Sequence, residues 1–332
     1  MRILFVTSNR IGDAVLSTGL LSHLVERYPG ARITVACGKV AAPIFQAVPG
    51  LERLQVLVKK RYAGHWLGLW RATIGQRWDL VVDLRASALA WTLWAGRRKI
   101  FQPSHTPVHR VRQLAALFGL DAAPPAPRLW LSEAHQAAAA ALLPDGGPVL
   151  AVGPTANFGG KEWPAASFIA LVERLTSAGG PLAGARVALF GGPGEREAAA
   201  PLIAAIPPDR LIDLVGSADL MVAAACIARA RLYIGNDSGL MHVAAAAGVP
   251  TLGLFGPSRE VLYAPWGPLC AHVRGPRSCE EIQASPLYDY RKKTSHMGDL
   301  DVNVVEAAAL ALLARTDPAR LGMDDAARRP LP

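Results

Sequence analysis

A doubly wound α/β protein, built as two parallel-sheet units in succession, is the fold class this sequence predicts. Three observations carry the expectation. Short, continuously apolar runs alternate with longer helical stretches. The alternation halts between Pro124 and Pro148 and then starts again. Turns rich in glycine, serine and carboxylates fall where apolar runs hand over to helices. Strands covered on both faces read as unbroken apolar runs, and strand–helix–strand repetition makes neighbouring strands parallel.

The elements follow in order. A strand is expected over 3–7 and a helix over 12–28, which the breaker pair Pro29-Gly30 ends. Strands over 33–36, 54–58 and 80–83 come next, with a short helix over 39–48. Pro124-Pro125-Ala126-Pro127 and Asp145-Gly146-Gly147-Pro148 bracket one helix over 132–143. This passage is read as the boundary between domains 1–147 and 148–332. The pattern then repeats, with strands over 149–152, 186–190, 211–213, 232–235 and 251–255, and helices over 165–178, 195–205, 219–230 and 240–247. Two Rossmann-like units facing across a cleft are the expected architecture. Ligands of such sheets sit at the carboxyl ends of strands, beside the next helix starts.

Composition narrows the function classes. Of 332 residues, 51% are apolar and 18% charged, against about 25% charged in an average chain, so disorder of the whole is excluded. Lys and Arg number 35 and Asp and Glu 26, a net +9 that suits an acidic partner. A phosphorylated ligand or an anionic membrane fits better than nucleic acid, because no zinc-finger spacing, basic zipper or RNA-reading aromatic motif is present. Cys37, Cys226, Cys270 and Cys279 form no CxxC pair, which gives a zinc site no support and fits a reducing compartment. The apolar start gives way to Asn9, Arg10 and Asp13, unlike a secretory leader, and no run of 18 apolar residues exists to span a membrane. A cytoplasmic protein is expected.

Four turns carry candidate chemistry. In Asn9-Arg10-Ile11-Gly12-Asp13, Asp13 either charges a helix start, favoured by about 0.3–1 kcal/mol, or faces the cleft as a general base. The dinucleotide fingerprint GxGxxG is absent there, which counts against a nicotinamide-dependent oxidoreductase. The loop from Gly153 to Pro164 holds Thr155, Asn157 and Lys161; it is either a phosphate-binding loop or a solvated one, and it is not a Walker A sequence. Gly191-Gly192-Pro193-Gly194-Glu195 presents a carboxylate that either binds ribose hydroxyls or charges a helix start. The most specific is Gly235-Asn236-Asp237-Ser238-Gly239-Leu240-Met241-His242. A strand runs into Asp237, Ser238 and Gly239, and the N–H groups of the next helix point at an anion, with His242 in its first turn.

This last motif, continued by Thr251-Leu252-Gly253-Leu254-Phe255-Gly256-Pro257-Ser258, resembles the signature of the heptosyltransferase family, glycosyltransferase family 9. Arg10-Ile11-Gly12-Asp13 and Lys161-Glu162-Trp163-Pro164 are similar to that family in spacing and order, so the resemblance runs over almost the whole chain. It implies a GT-B fold with an N-terminal acceptor domain and a C-terminal donor domain. It also implies an inverting, metal-independent transfer of heptose from ADP-heptose to the lipopolysaccharide inner core. By the same likeness Asp13 is the base, Lys161 meets the donor phosphates with Thr155 and Asn157 nearby, and Glu195 holds the ribose. Asp237 meets the sugar, Ser238, Gly239 and His242 lie at the pyrophosphate, and the adenine falls near Ser217-Ala218. No cofactor or metal is implied; the one DxD, Asp299-Leu300-Asp301, falls late in the chain.

The acceptor is expected to be an anionic, lipid-linked lipid A–Kdo core, reached at the cytoplasmic face of the inner membrane. Cations interleaved with aromatics in the first half suit that surface: Lys59, Lys60, Arg61, Tyr62, His65, Trp66, Trp70 and Arg71, then Arg97, Arg98, Lys99, His109, Arg110 and Arg112. A solvated charged face is the competing account. A family 9 transferase with another nucleotide sugar or acceptor, and a non-catalytic nucleotide-sugar binding protein, are the alternative functions.

Overall fold

The computed structural model describes residues 1–58, 62, 64–103, 106–292 and 294–317. The chain forms two compact units, Met1–Ser132 and Glu133–Pro332.

The first unit contains β1 (Arg2–Val6), α1 (Ile11–Arg27), β2 (Arg32–Gly38), β3 (Leu51–Leu57), α2 (Gly64–Thr73), β4 (Trp78–Asp83), α3 (Leu89–Thr92), β5 (Ala95–Ile100) and α4 (Arg110–Ala115). Its five strands are parallel in the order β3-β2-β1-β4-β5. The apolar runs of β1, β2 and β4 are buried as expected for strands covered on both faces. One face packs Leu4, Val6, Leu69, Trp78 and Val81 into a cluster.

The second unit contains α5 (Glu133–Leu142), β6 (Val149–Gly153), α6 (Ala165–Thr176), β7 (Arg186–Gly191), α7 (Arg196–Ala205), β8 (Leu211–Val215), α8 (Leu220–Ile227), β9 (Leu232–Asn236), α9 (Gly239–Ala246), β10 (Thr251–Phe255), α10 (Glu260–Tyr263), β11 (Cys270–Arg274), α11 (Cys279–Ala284) and α12 (Val302–Arg315). Six parallel strands run in the order β11-β10-β9-β6-β7-β8. Trp163, Phe168 and the inward side chains of β6, β7 and β9 build its core. No helix among the described residues is long and apolar enough to cross a membrane.

Both sheets reverse direction once. The chain builds outward from β1 through β2 and β3, then returns to place β4 on the other side of β1; β6 and β9 are related in the same way. At such a switch point the flanking loops part and leave a crevice at the strand ends.

Four expectations need correction. The division falls between Ser132 and Glu133 rather than after Gly147, because α5 packs on α8 of the second unit. Arg229 fixes the end of that helix, donating to the Leu143 carbonyl at 3.0 Å and pairing with Asp145 at 2.5 Å. The helix expected over 39–48 is a 3-10 turn, Lys39–Phe45, with Pro43 inside it removing a donor. The strand expected over 54–58 starts earlier, at Leu51. The edge strands β5 and β11 were not anticipated.

Candidate functional site

The second unit's switch point gathers most of the expected residues. β6 delivers the Thr155–Lys161 loop and β9 delivers Asp237, Ser238 and Gly239, side by side, because Gly153 pairs with Gly235. Asn236, wholly buried, staples the two turns. Its Oδ1 accepts from Trp163 N at 3.0 Å and its Nδ2 donates to the Pro154 carbonyl at 2.7 Å. Lys161 Nζ then reaches Asp237 Oδ2 at 2.6 Å, and the aspartate is almost fully buried. The pair neutralises itself but leaves ammonium protons for a second anion. Gly239 opens α9, whose first turn carries no acid and whose N-cap, Ser238, makes no side-chain bond to the helix. His242, in that first turn, is buried. Asn157 is exposed at the loop tip.

Glu195 forms a second corner, beside the ends of β7 and β8. Its Oε2 accepts from Thr155 Oγ1 at 2.6 Å and from Gly192 N at 2.7 Å. Oε1 accepts no hydrogen bond among the described residues, so one edge of the carboxylate is fixed and the other is presented. Ser217 and Ala218 follow Gly216, whose N–H donates to the Gly191 carbonyl at 3.0 Å, so they border the same corner. Gly216 needs its φ of +71°, which favours glycine.

In the first unit, Asp13 lies in the first turn of α1 at the β1/β4 switch point. Ser8 Oγ donates to its Oδ2 at 3.4 Å and accepts from Arg10 N at 3.2 Å. The turn lies against Gly38, where a Cβ would fall 2.6 Å from Asn9 Cα. At the end of the neighbouring strand β4, paired with Val6 of β1, stands Asp83, unforeseen as a site residue from the sequence. It is wholly buried and accepts from Arg85 N at 2.8 Å, from Ser87 N at 2.9 Å and from the Ser87 hydroxyl. A carboxylate so saturated shapes the loop, and the left-handed Ala86 (φ +50°) within it is the conformational cost. The only hint was an acid at the end of an apolar run.

The basic segment fares unevenly. Lys59, Lys60 and Arg61 lie outside the described residues. Several of the others do structural jobs: Arg98 donates to the carbonyls of Ala90, Leu93 and Ala95, His109 caps α4, and Arg112 holds the Asp121 carbonyl at 2.7 Å. Trp66 and Trp70 pack on the core cluster. Trp91 and Trp94, not singled out from the sequence, are about two-thirds exposed (69% and 68%). Asp299 pairs with Arg277 at 2.6 Å and Asp301 caps α12, which accounts for both carboxylates of the DxD. The rings of Phe158, Tyr288 and His296, far apart in sequence, cluster on Gly160 next to Lys161, with Tyr288 and His296 centroids 5.2 Å apart. No local pattern signals that wall.

Comparison with known proteins bears on this geometry. Residues 72–286 match the model of glycosyltransferase family 9 (heptosyltransferase). The chain is 27% identical over 298 residues to lipopolysaccharide heptosyltransferase 2 of Salmonella typhimurium, covering 78% of this chain and 83% of that protein. It is 25% identical over 312 residues to lipopolysaccharide heptosyltransferase 1 of Pseudomonas aeruginosa, covering 84% and 85%. Its fold is that of the Escherichia coli ADP-heptose lipopolysaccharide heptosyltransferase II structure, with TM-score 0.74, 23% identity and coverage of 95% of this chain and 99% of that one. The family 9 glycosyltransferase of Veillonella parvula gives 0.78 at 22% identity, covering 95% and 98%. These likenesses show the GT-B fold of two parallel-sheet α/β domains.

Proposed function

The chain belongs to glycosyltransferase family 9, the heptosyltransferases, and on that premise we propose that it transfers a heptose from ADP-heptose to the lipopolysaccharide inner core, with inversion and without a metal ion. The observation that carries the reading is the uncapped start of α9 beside Lys161, at the switch point of the second sheet. Donor phosphates on this helix start gain oriented N–H groups and a cation, fixed in place before charge develops. The Glu195 corner, with its presented Oε1, suits a ribose diol.

In the proposed reaction Asp13 accepts the proton of an acceptor hydroxyl. The oxygen forms a bond to the anomeric carbon as the bond from that carbon to the diphosphate oxygen breaks, and the configuration inverts. The diphosphate leaves with the bonding pair, its charge met by Lys161 and the α9 N–H groups, the work a divalent ion does in other transferases. The first unit, Met1–Ser132, is proposed to take the acceptor and the second, Glu133–Pro332, the donor. The acceptor is proposed to be a lipid-linked, anionic lipid A–Kdo core at the cytoplasmic face of the inner membrane. The basic segment and the exposed Trp91 and Trp94 support that contact.

One experiment tests the whole reading. ADP-heptose is set against UDP- and GDP-sugars with lipid A–Kdo acceptors, with and without EDTA, and products are identified by mass spectrometry. Transfer from ADP-heptose that survives chelation is expected. Transfer from another nucleotide sugar alone moves the chain to a different donor, a reading that the small Ser217 and Ala218 beside the corner keep in view. Activity lost with EDTA and restored by Mg²⁺ or Mn²⁺ overturns the metal-free mechanism.

A further inference from the structure

Three rings stand beside Lys161 that neither the phosphate site nor the hydrophobic core uses. Phe158 comes from the loop after β6, and Tyr288 and His296 from the segment between α11 and α12. Phe158 and Tyr288 meet edge to face, with centroids 6.1 Å apart and planes at 85°. The His296 ring lies 5.2 Å from Tyr288 and 6.5 Å from Phe158. None of the three belongs to the core cluster of the second unit, although Met297, the next residue, does. Phe158 and Tyr288 stay only half-buried.

The rings are fixed to the turn that carries Lys161. Ser295 Oγ donates to the Glu162 carbonyl at 2.6 Å, and the His296 N–H donates to the Gly160 carbonyl at 3.1 Å. A Cβ on Gly160 would lie 2.5 Å from Phe158 Cζ and 2.8 Å from His296 Cδ2, so the rings leave that position room for glycine alone. His296 is buried, and its Nε2 has no hydrogen-bond partner, a cost that stability does not recover. Burial, and after it the charge of Arg277, lowers the pKa of this imidazole, which stays an uncharged flat ring behind the other two.

The side on which the rings stand decides what they meet. A nucleoside-diphosphate sugar has two ends joined through its diphosphate. Four neighbouring strands run in the order β10-β9-β6-β7. Glu195 stands near the end of β7, and Lys161 reaches from the β6 loop to Asp237 at the end of β9. The rings lie on the far side from Glu195, because a Cβ on Gly256, just past β10, would run into Met297 beside His296. With the nucleoside at the Glu195 corner and the diphosphate at Lys161, the remaining end, the sugar, is directed at the rings. The C–H face of a sugar ring is apolar and weakly positive, and an aromatic face is negative, so the two are complementary.

We propose that Phe158 and Tyr288, backed by His296, form the subsite for the sugar of a nucleoside-diphosphate sugar and stack on the C–H face of its ring. The inference rests on the reading of Lys161 and α9 as the diphosphate site. Lys161 and the wall share one turn, so a donor seated by its phosphates meets the rings in a fixed register.

The test is titration calorimetry of the full chain with ADP and with ADP-heptose, in the absence of acceptor. Phe158→Leu and Tyr288→Leu each remove a ring and keep an apolar side chain. Each should raise the ADP-heptose Kd about 3- to 10-fold and leave the ADP Kd unchanged. Tyr288→Phe keeps the ring and should bind both ligands as the wild type does. Tyr288 lies outside the phosphate loop, so its variants decide the matter if Phe158→Leu does not fold. An equal loss for ADP and ADP-heptose makes the rings a prop for the Lys161 turn and overturns the inference. An effect confined to acceptor KM overturns it as well, by giving the wall to the acceptor. A wild-type protein that does not bind ADP removes the diphosphate reading and this inference together. Wild-type ADP binding with indifferent leucine variants removes the inference alone.

Discussion

The two switch points occupy the same place in two similar sheets, and they are furnished for opposite charges. α1 carries Asp13 in its first turn, while α9 carries no acid there and has Lys161 beside it. A helix start attracts negative charge, whichever molecule supplies it. In the first unit the protein supplies that charge itself, so the start of α1 holds a carboxylate instead of receiving an anion. In the second unit the start carries no acid of its own. On the proposed reading, one fold position serves as a proton acceptor or as a phosphate site, according to where the acid sits.

The largest expected effect breaks the first half of the comparison. Asp13→Asn keeps the shape and polarity of the turn but removes proton acceptance at neutral pH. The kcat should fall by about 10²–10⁴, with the ADP Kd unchanged. Wild-type turnover in that variant takes Asp13 out of the mechanism. Lys161→Ala attacks the second half. A charge-assisted contact to diphosphate is worth roughly 1.5–3 kcal/mol, so the ADP Kd should rise about 10- to 150-fold by calorimetry. The same Kd in both proteins places Lys161 outside the site.

The difference between the switch points was partly legible in the sequence, and the reason is local. Strand ends, glycines and helix starts lie within a few residues of each other, so Asp13, Glu195 and the Asp237–His242 stretch announced themselves as turns. Buried strands were equally plain, because β1, β4, β6 and β9 each contain an unbroken apolar run. The edge strand β5 reads Ala-Gly-Arg-Arg-Lys-Ile and is half exposed, so it has no apolar run to find. The partners of Asp83 and the ring cluster of Phe158, Tyr288 and His296 are products of packing across the chain. The +9 charge suggested a surface; the structure assigns Arg98, His109 and Arg112 of that segment to carbonyls and a helix cap.

Lys59, Lys60 and Arg61 are the charges that test the first unit's proposed role as acceptor domain. Each nearby cation adds about 1 kcal/mol toward an anionic leaflet, screened within a Debye length. Reversing all three to Glu should raise acceptor KM on the order of tenfold and weaken binding to anionic vesicles, leaving the ADP Kd alone. Unchanged acceptor KM and vesicle binding make the segment a solvated face.

The smallest effect separates nucleoside from phosphate within the second unit. Glu195 uses Oε2 for Thr155 and Gly192 and presents Oε1. A ribose diol offers two O–H donors, and a carboxylate accepts both. Glutamine has one accepting oxygen, which the Gly192 N–H and Thr155 already claim, and its amide nitrogen can only donate. Glu195→Gln should therefore lose about one neutral hydrogen bond, roughly 1 kcal/mol, and raise the ADP Kd about fivefold. On the proposed reading inorganic pyrophosphate does not reach this corner, so its Kd should not move. A parallel loss for pyrophosphate puts Glu195 at the phosphates. No loss for either puts its carboxylate in the service of the Gly192 turn alone, leaving α9 and Lys161 to hold the donor without it.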